Sequence, residues 1–203
     1  MPRRATQRTM NDALHKPWTQ EEFFTWAEQQ DERYEFDGFQ PVAMTGGTTR
    51  ASAIGGNILY AIRSRMPRGP CRPLGPDAGV ETINKKIRYP DALITCAPLG
   101  PRDYKTPDVR VVFEVVSLTS GHRDRTTKSI EYAAVPSILR YVIVESSTAK
   151  ITVHERDHGN EPWRPTLPLS MHHVLRIPEF NIEIPVTEIY EGIDLTTDQM
   201  PHE

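Results

Sequence analysis

Residues 111–116 have the sequence Val-Val-Phe-Glu-Val-Val, and this nearly continuous apolar run decides the fold class. A strand with one solvated face alternates apolar and polar residues, whereas a strand covered on both faces is apolar along its length. The run therefore predicts a central strand that is buried on both sides. Strand alternation places Glu114, the ionisable residue of this run, on the same face as Val112 and Val116.

Glu114 and Asp91 form a candidate site. An ionised carboxylate inside a buried strand is costly unless it is paired or bound to a metal ion. Asp91 follows Pro90 at the start of a second predicted strand, and its side chain faces Glu114 if the two strands are neighbours. Two facing carboxylates repel each other, and a hard divalent cation with oxygen ligands relieves that repulsion. Asp91 and Glu114 together therefore predict a site for Mg²⁺ or Mn²⁺.

Lys128 is a third candidate, on a helix predicted at 123–135 that follows the Glu114 strand. Two interpretations of this lysine are open from the sequence. In the first it forms an exposed i, i+4 pair with Asp124, which stabilises a helix by roughly 0.2–0.5 kcal/mol. In the second it reaches back to the two carboxylates, where it orients an attacking water or neutralises developing charge.

Glu114 also has an interpretation without a metal ion. Structural ion pairs bury carboxylates too, so Glu114 could be matched by an arginine such as Arg123 or Arg125. A bidentate arginine on Glu114 would support this interpretation and remove the metal site.

The elements around the central strand follow from periodicity and turn signals. They are a helix at 19–30 begun by a Thr-x-x-Glu capping box, a hairpin at 34–36 and 41–44, a helix at 52–66, a loop at 67–76, strands at 79–83 and 91–96, a hairpin at 140–145 and 150–155, and short strands at 174–177 and 182–184. Gly55 and Gly56 inside the second helix each cost about 1 kcal/mol relative to alanine, so we expect close packing against another backbone there. This order of elements is typical of an α/β or α+β domain with a mixed sheet.

The bulk composition limits the remaining possibilities. A chain of 203 residues with 37% hydrophobic and 25% charged residues is expected to form one globular domain, at 17–192, between a flexible leader at 1–16 and a flexible tail at 193–203. A run of about 18 apolar residues is absent, so no membrane span is expected.

Cys71 and Cys96 are expected to be two reduced thiols in a cytoplasmic protein. The net charge of −3 argues against tight non-specific binding to DNA, although a local basic groove is compatible with it.

Several motifs between Tyr34 and Val144 occur in the order in which a known family carries them. They are Tyr34-Glu35-Phe36-Asp37-Gly38, Val42-Ala43-Met44, Asn57-Ile58-Leu59, Tyr89-Pro90-Asp91-Ala92-Leu93, Glu114-Val115-Val116-Ser117, Asp124, Lys128, Tyr132, Pro136-Ser137 and Tyr141-Val142-Ile143-Val144. On these motifs the chain resembles the Uma-two family of restriction-endonuclease-like proteins. The resemblance implies a restriction-endonuclease-like mixed central sheet flanked by helices, with an N-terminal helix and hairpin.

The resemblance also implies roles for individual residues. Family members look like PD-(D/E)XK nucleases, in which an aspartate and a glutamate on adjacent strands bind magnesium. These residues correspond to Asp91 and Glu114, and the backbone carbonyl of Val115 is a further candidate ligand. Supporting residues implied by the same match are Glu35, Asp77 and Asp124.

One position departs from the general nuclease pattern. That pattern has a lysine two residues after the glutamate, and here this position is Val116. The Uma-two family shares the absence, and Lys128 on the following helix resembles a relocated replacement. The resemblance therefore favours the interpretation of Lys128 as a residue of the site.

Two functions from different classes follow. The first is Mg²⁺- or Mn²⁺-dependent hydrolysis of nucleic-acid phosphodiesters, with DNA favoured over RNA and with Asp91, Glu114 and Lys128 as the catalytic residues. The second is a catalytically inactive nuclease-fold module that binds or regulates, which the net negative charge and the missing strand lysine favour. The two carboxylates oppose the second, because buried charges without partners destabilise a fold. Apolar late strands could also supply the edge of a homodimer.

Overall fold

The computed structural model describes residues 16–117 and 122–195, apart from the side chains of residues 122–124. The helices of this part are α1 (Gln20–Ala27), α2 (Thr49–Arg65), α3 (His122–Ala133) and α4 (Val186–Ile189). Its strands are β1 (Tyr34–Phe36), β2 (Pro41–Ala43), β3 (Arg72–Leu74), β4 (Val80–Glu81), β5 (Ile87–Arg88), β6 (Ala92–Thr95), β7 (Val109–Val116), β8 (Arg140–Glu145), β9 (Ile151–Glu155), β10 (Arg164–Pro165), β11 (Val174–Ile177) and β12 (Ile182–Pro185). None of these helices combines the length and the apolar character that a membrane span requires.

The largest sheet of the described part has the strand order β10-β9-β8-β7-β6-β3. β7 pairs in parallel with β8, and the other pairs in this sheet are antiparallel. Parallel neighbours need a crossover connection, and α3 supplies it between β7 and β8. The prediction of a mixed sheet with a central strand around Glu114 is confirmed.

The two faces of β7 contribute to different parts of the core. Val111 lies in the same apolar cluster as Ile58 of α2. Val112 lies in a second cluster with Tyr132 of α3. Because Glu114 follows Val112 by two residues, its side chain shares the face of Val112 and points towards α3.

A smaller antiparallel sheet has the order β2-β1-β5-β4 and packs with α1. The predicted capping box starts this helix, since the Thr19 hydroxyl accepts a hydrogen bond from the Glu22 backbone N–H and the Glu22 carboxylate accepts one from the Thr19 backbone N–H. Phe23 of α1 stacks on Phe36 of β1 with 5.2 Å between the ring centroids. The sheet carries Glu35 on β1 and leads from β5 into Asp91. The late strands β11 and β12 form a separate antiparallel pair.

The predicted loop at 67–76 contains a strand, and this corrects the interpretation of the cysteines. β3 pairs with β6 in a register that places Arg72 opposite Thr95. The next residues outward, Cys71 and Cys96, therefore face each other across the two strands and form a disulfide. The expectation of two reduced thiols was wrong because the proline-rich sequence of β3 obscured an edge strand, the position where a sheet tolerates proline.

The predicted strand at 79–83 is also shorter than expected. β4 ends at Glu81, and a 3₁₀ turn at Ile83–Lys85 leads into β5. Asn84 and Lys85 have φ of 57° and 61°, in the left-handed region that a strand does not use. This turn reverses the chain, so that β4 and β5 form a tight antiparallel pair.

The expectation of close backbone packing at Gly55 and Gly56 was wrong. A Cβ atom added to Gly55 would have Asp91 Cβ at 4.0 Å as its neighbour, an ordinary contact, and a Cβ atom added to Gly56 would meet nothing within 4 Å. Gly56 is exposed on α2. Residues 1–15 of the predicted leader and 196–203 of the predicted tail lie outside the part that the structure describes.

Candidate functional site

Asp91 and Glu114 lie side by side on neighbouring strands. β6 and β7 are antiparallel, with Ala92 opposite Phe113. One residue further along each strand, Asp91 lies beside Glu114. The Asp91 Oδ2 atom accepts a hydrogen bond from the backbone N–H of Val115 at 2.7 Å, which fixes the carboxylate against β7. The structure thus places Asp91 next to Glu114, as the sequence analysis expected for neighbouring strands.

Glu114 is buried, with 5% of its surface exposed, and its carboxylate has two partners on α3. The Lys128 ammonium donates to both oxygens at 3.1 Å. The Tyr132 hydroxyl donates to Oε1 at 2.8 Å. Lys128 and Tyr132 are four residues apart, so one face of the helix presents both side chains to the strand.

Lys128 lies in the interior of the site, not on the surface of the helix. Its side chain is only 15% exposed and contacts Glu114, so Lys128 is not the exposed lysine that the first interpretation assumed. The side chain of Asp124, the predicted partner in that interpretation, lies outside the described part of the chain.

The arginine expected in the metal-free interpretation of Glu114 binds elsewhere. Arg125 donates to both oxygens of Glu145, at 2.6 and 3.0 Å, and to the Ser117 carbonyl. The side chain of Arg123 lies outside the described part. Glu114 is therefore paired with a lysine and a tyrosine in the described structure, and Arg125 does not pair with it.

Glu35 adjoins the site through Lys128. One Glu35 oxygen is 3.7 Å from the Lys128 ammonium, and the other accepts from Arg88 at 2.7 Å. Arg88 also donates to buried Glu131 at 2.6 and 2.9 Å. The small sheet is thus joined to α3 and to the central sheet by a chain of buried ion pairs.

Asp77, the other supporting candidate, lies apart from this cluster. Its side chain is 92% exposed and pairs with Arg33 at 3.3 Å. The structure therefore does not bring Asp77 into contact with Asp91 or Glu114, and its partner Arg33 lies over the ring of Tyr89, two residues before Asp91.

Sequence reasoning missed three residues of the site: Tyr132, Arg88 and Glu131. Tyr132 had a usable signal, since it follows Lys128 by one helical turn and is one of the residues that carry the family resemblance, but no role in the site was predicted for it. Its ring does pack there, with its centroid 5.1 Å from that of Tyr141. Arg88 and Glu131 carried no signal, because their pairing depends on how the small sheet packs against α3.

The electrostatics of the site follow from burial. Burial raises the pKa of Glu114 to about 7, the neighbouring charges of Asp91 and Glu35 raise it as well, and Lys128 and Tyr132 act in the opposite direction. Burial also raises the pKa of Asp91, while the Val115 N–H and the Lys128 charge lower it. The Tyr132 hydroxyl has a pKa well above its ordinary value because it is buried against Glu114. The cations present therefore do not fully offset the cost of ionising Glu114.

The donor set fits one kind of divalent-cation site. The described residues contain no group of three or more His, Cys, Asp or Glu side chains that could hold a metal ion, so they form no dedicated metal cage. Magnesium, however, is usually held by one or two carboxylates while it keeps several waters and uses substrate phosphates. Two adjacent carboxylates, both with a raised pKa, provide ligands of that kind. Asp91 and Glu114 thus fit a hydrated Mg²⁺ or Mn²⁺ ion.

Comparisons with known proteins agree with this fold. The sequence profile of the Uma2 (Uma-two) family, described as "Putative restriction endonuclease", matches residues 20–187. The uncharacterized protein slr1290 of Synechocystis sp. is 28% identical over 179 residues, which cover 85% of this chain and 91% of that protein. A crystal structure described as a "putative nuclease belonging to DUF820" from Anabaena variabilis superposes with a TM-score of 0.67 over 86% of this chain and 98% of that chain, at 13% identity. The chain therefore shares the fold of that structure, and it belongs to the Uma2 family.

Proposed function

We propose that this protein is a Mg²⁺- or Mn²⁺-dependent endonuclease that hydrolyses nucleic-acid phosphodiesters. The observation that carries the proposal is the adjacent pair of Asp91 and Glu114, in which the buried glutamate has a pKa raised to about 7. Such a pair is costly to ionise without a cation, and it offers the oxygen ligands that a hard divalent ion prefers. Family membership supports the same class of reaction.

Each residue of the site would have a separate task. Asp91 and Glu114 would hold the ion, with the Val115 carbonyl as a further ligand. A divalent ion bound there supplies Lewis acidity, which lowers the pKa of a water molecule and polarises a phosphate oxygen. Lys128 would orient the attacking water or stabilise negative charge on the phosphate. Tyr132 would keep Glu114 in place through its 2.8 Å hydrogen bond.

DNA is the favoured substrate class. The support is the description of the family as a restriction endonuclease, since restriction enzymes cleave duplex DNA. RNA is the alternative, and both substrates belong in the first test.

The test is a cleavage assay with purified wild-type protein and the Asp91→Ala variant. Supercoiled plasmid DNA and a long single-stranded RNA are incubated with each protein in Mg²⁺, in Mn²⁺ and in EDTA. Wild type should convert the plasmid to nicked and linear forms only with a divalent ion. The variant should be slower by about 100-fold or more, because loss of a metal ligand exceeds the 10- to 100-fold loss usual for an outer-shell partner.

The fold of the variant must be checked in the same experiment. Asp91→Ala removes one hydrogen bond to β7 and one partly buried carboxylate, so its circular dichroism spectrum should match that of wild type. A cleavage rate that is unchanged in the variant would contradict the assignment of Asp91.

A catalytically inactive binding or regulatory module is the second candidate. The observation that favours it is the Lys128–Glu114 pair, because the ammonium offsets part of the glutamate charge without any metal ion. This candidate predicts that wild type cleaves neither substrate under any of the metal conditions and that it binds divalent ions no better than Asp91→Ala does.

A further inference from the structure

The charged side chains in and near the site differ widely in exposure to solvent. Glu114 is buried beneath α3, Lys128 is 15% exposed, Arg33 is 47% exposed and Asp77 is 92% exposed. A polyanionic substrate must approach the carboxylates from solvent, and we infer that the side carrying Arg33 and Asp77 is its entrance.

Arg33 is held at this entrance by the strand that carries Glu35. Its carbonyl accepts a hydrogen bond from the Met44 N–H at 2.9 Å, which continues the pairing of β1 with β2. Arg33 precedes Glu35 by two residues, so alternation along the strand places both side chains on the same face. The guanidinium lies over the ring of Tyr89, 5.7 Å from its centroid. Tyr89 in turn precedes Asp91 by two residues, so the guanidinium lies beside the segment that leads into the site.

The present partner of Arg33 is easily exchanged. The Arg33 guanidinium donates to the Pro76 carbonyl and also pairs with Asp77 at 3.3 Å, and the side chains of Arg33 and Asp77 are 47% and 92% exposed. The Asp77 carboxylate is the charged partner that a phosphate would displace, while the Pro76 carbonyl can keep the guanidinium in place. Exposed ion pairs of this kind contribute about 0–1 kcal/mol. A guanidinium is also well suited to bidentate contact with a phosphate, whose geometry it matches as well as that of a carboxylate.

We propose that Arg33 binds a backbone phosphate of the nucleic-acid substrate next to the phosphodiester held at Asp91 and Glu114. Asp77 is the carboxylate that this phosphate displaces from the guanidinium. The inference rests on the proposed function and adds to it a substrate-binding residue and a competing carboxylate. It also gives Asp77 a role that does not require a place among the metal ligands.

The test measures DNA binding separately from cleavage. A fluorescein-labelled 20-base-pair duplex is titrated with protein in Ca²⁺ at several NaCl concentrations between 50 and 200 mM, and binding is followed by fluorescence anisotropy. Arg33→Gln should weaken binding by roughly 10-fold, as expected for a lost charged hydrogen bond. It should also reduce the slope of log K against log salt concentration by about 1, the signature of one lost phosphate contact.

Asp77→Asn should change affinity in the opposite direction. It removes the competitor, so DNA should bind about 2- to 5-fold more tightly, which corresponds to the strength of an exposed ion pair. The side chain of Asp77 is almost fully exposed, so this variant should fold normally. Arg33→Lys should recover part of the affinity, because the charge remains while the bidentate geometry is lost.

Arg164 and Asp157 offer a matched control. They form an exposed pair at 2.6 Å, with 55% and 69% of their side chains exposed. Arg164 lies on β10, three strands from β7, which is about 14 Å along the sheet. Arg164→Gln and Asp157→Asn make the same changes of charge, and neither should alter the salt slope.

The outcomes separate the two proposals. If wild type binds DNA and Arg33→Gln behaves like Arg164→Gln, the inference about Arg33 is overturned while the nuclease proposal stands. If Asp77→Asn tightens binding no more than Asp157→Asn does, the role of Asp77 is overturned. If wild type shows no saturable binding to the duplex and cleaves neither DNA nor RNA, the proposed function fails and the inference fails with it.

Discussion

The Lys128 ammonium contacts both carboxylate oxygens of Glu114 at 3.1 Å, in the interior of the fold. The pair explains how a central strand can contain a glutamate without a metal ion, since a buried charge is tolerated when it is paired and hydrogen-bonded. The single positive charge of Lys128 does not neutralise the negative charge of the whole site, because Asp91 and Glu35 lie nearby and raise the pKa of Glu114. The excess negative charge is the property that favours a divalent cation.

The pH dependence of the free energy of unfolding should reveal the cost of ionising Glu114 in the folded protein. The pKa of Glu114 is raised from 4.5 to about 7 in the folded protein, so the folded state holds the proton more tightly than the unfolded state does. The stabilising contribution of this proton is therefore complete below about pH 4.5 and is lost as pH rises through about 7. In full it is worth roughly 3 kcal/mol.

Urea denaturation in EDTA between pH 5 and 8 measures this effect. The free energy of unfolding of wild type should fall over this range relative to that of Glu114→Gln, which cannot titrate at this position. Asp91 and all other groups remain in both proteins, so the difference between the two curves isolates Glu114. Parallel curves would contradict the raised pKa.

Reduction of the Cys71–Cys96 disulfide should destabilise the fold. The two cysteines are 25 residues apart. A disulfide that closes a loop of that length lowers the entropy of the unfolded chain and thereby stabilises the folded protein by about 3 kcal/mol. Dithiothreitol should therefore lower the urea midpoint of wild type and leave that of a Cys71→Ala/Cys96→Ala variant unchanged. An equal midpoint for wild type with and without reductant, together with two free thiols by Ellman titration, would mean that the disulfide does not form.

Gly56→Ala should stabilise the protein. The position is exposed inside α2, and an added Cβ atom would meet nothing within 4 Å. Alanine should therefore increase the free energy of unfolding by about 1 kcal/mol, which is the difference in helix propensity. Gly55→Ala is the comparison, since its Cβ atom would lie 4.0 Å from that of Asp91. A Gly56→Ala variant that is less stable than wild type would contradict the open surroundings of this position.

The sequence predicted the central part of this fold because buried strands and helix caps leave local signals. The apolar run around Glu114 and the capping box at Thr19 and Glu22 depend only on neighbouring residues, and both predictions were confirmed. The proximity of Asp91 and Glu114 was also foreseen, because a costly carboxylate in an apolar strand demands a partner.

Features that depend on long-range packing were not predictable in the same way. The Cys71–Cys96 disulfide requires the register of β3 against β6, and the proline-rich sequence concealed that strand. The ion pairs of Arg88 with Glu35 and Glu131 join residues from different layers of the fold. Neither periodicity nor spacing contains that information.

The central claim is that Asp91 and Glu114 bind a divalent cation, and calorimetric titration of Mn²⁺ into the protein tests it most directly. The titration is best made at pH 8, above the pKa of about 7 for Glu114, so that the carboxylate is ionised. Glu179→Gln is a suitable control, because Glu179 pairs with Arg140 elsewhere in the fold. The account predicts saturable binding to wild type and to the control and loss of that binding in Glu114→Gln. Absence of saturable heat with wild type, or equal affinity for wild type and Glu114→Gln, would contradict it.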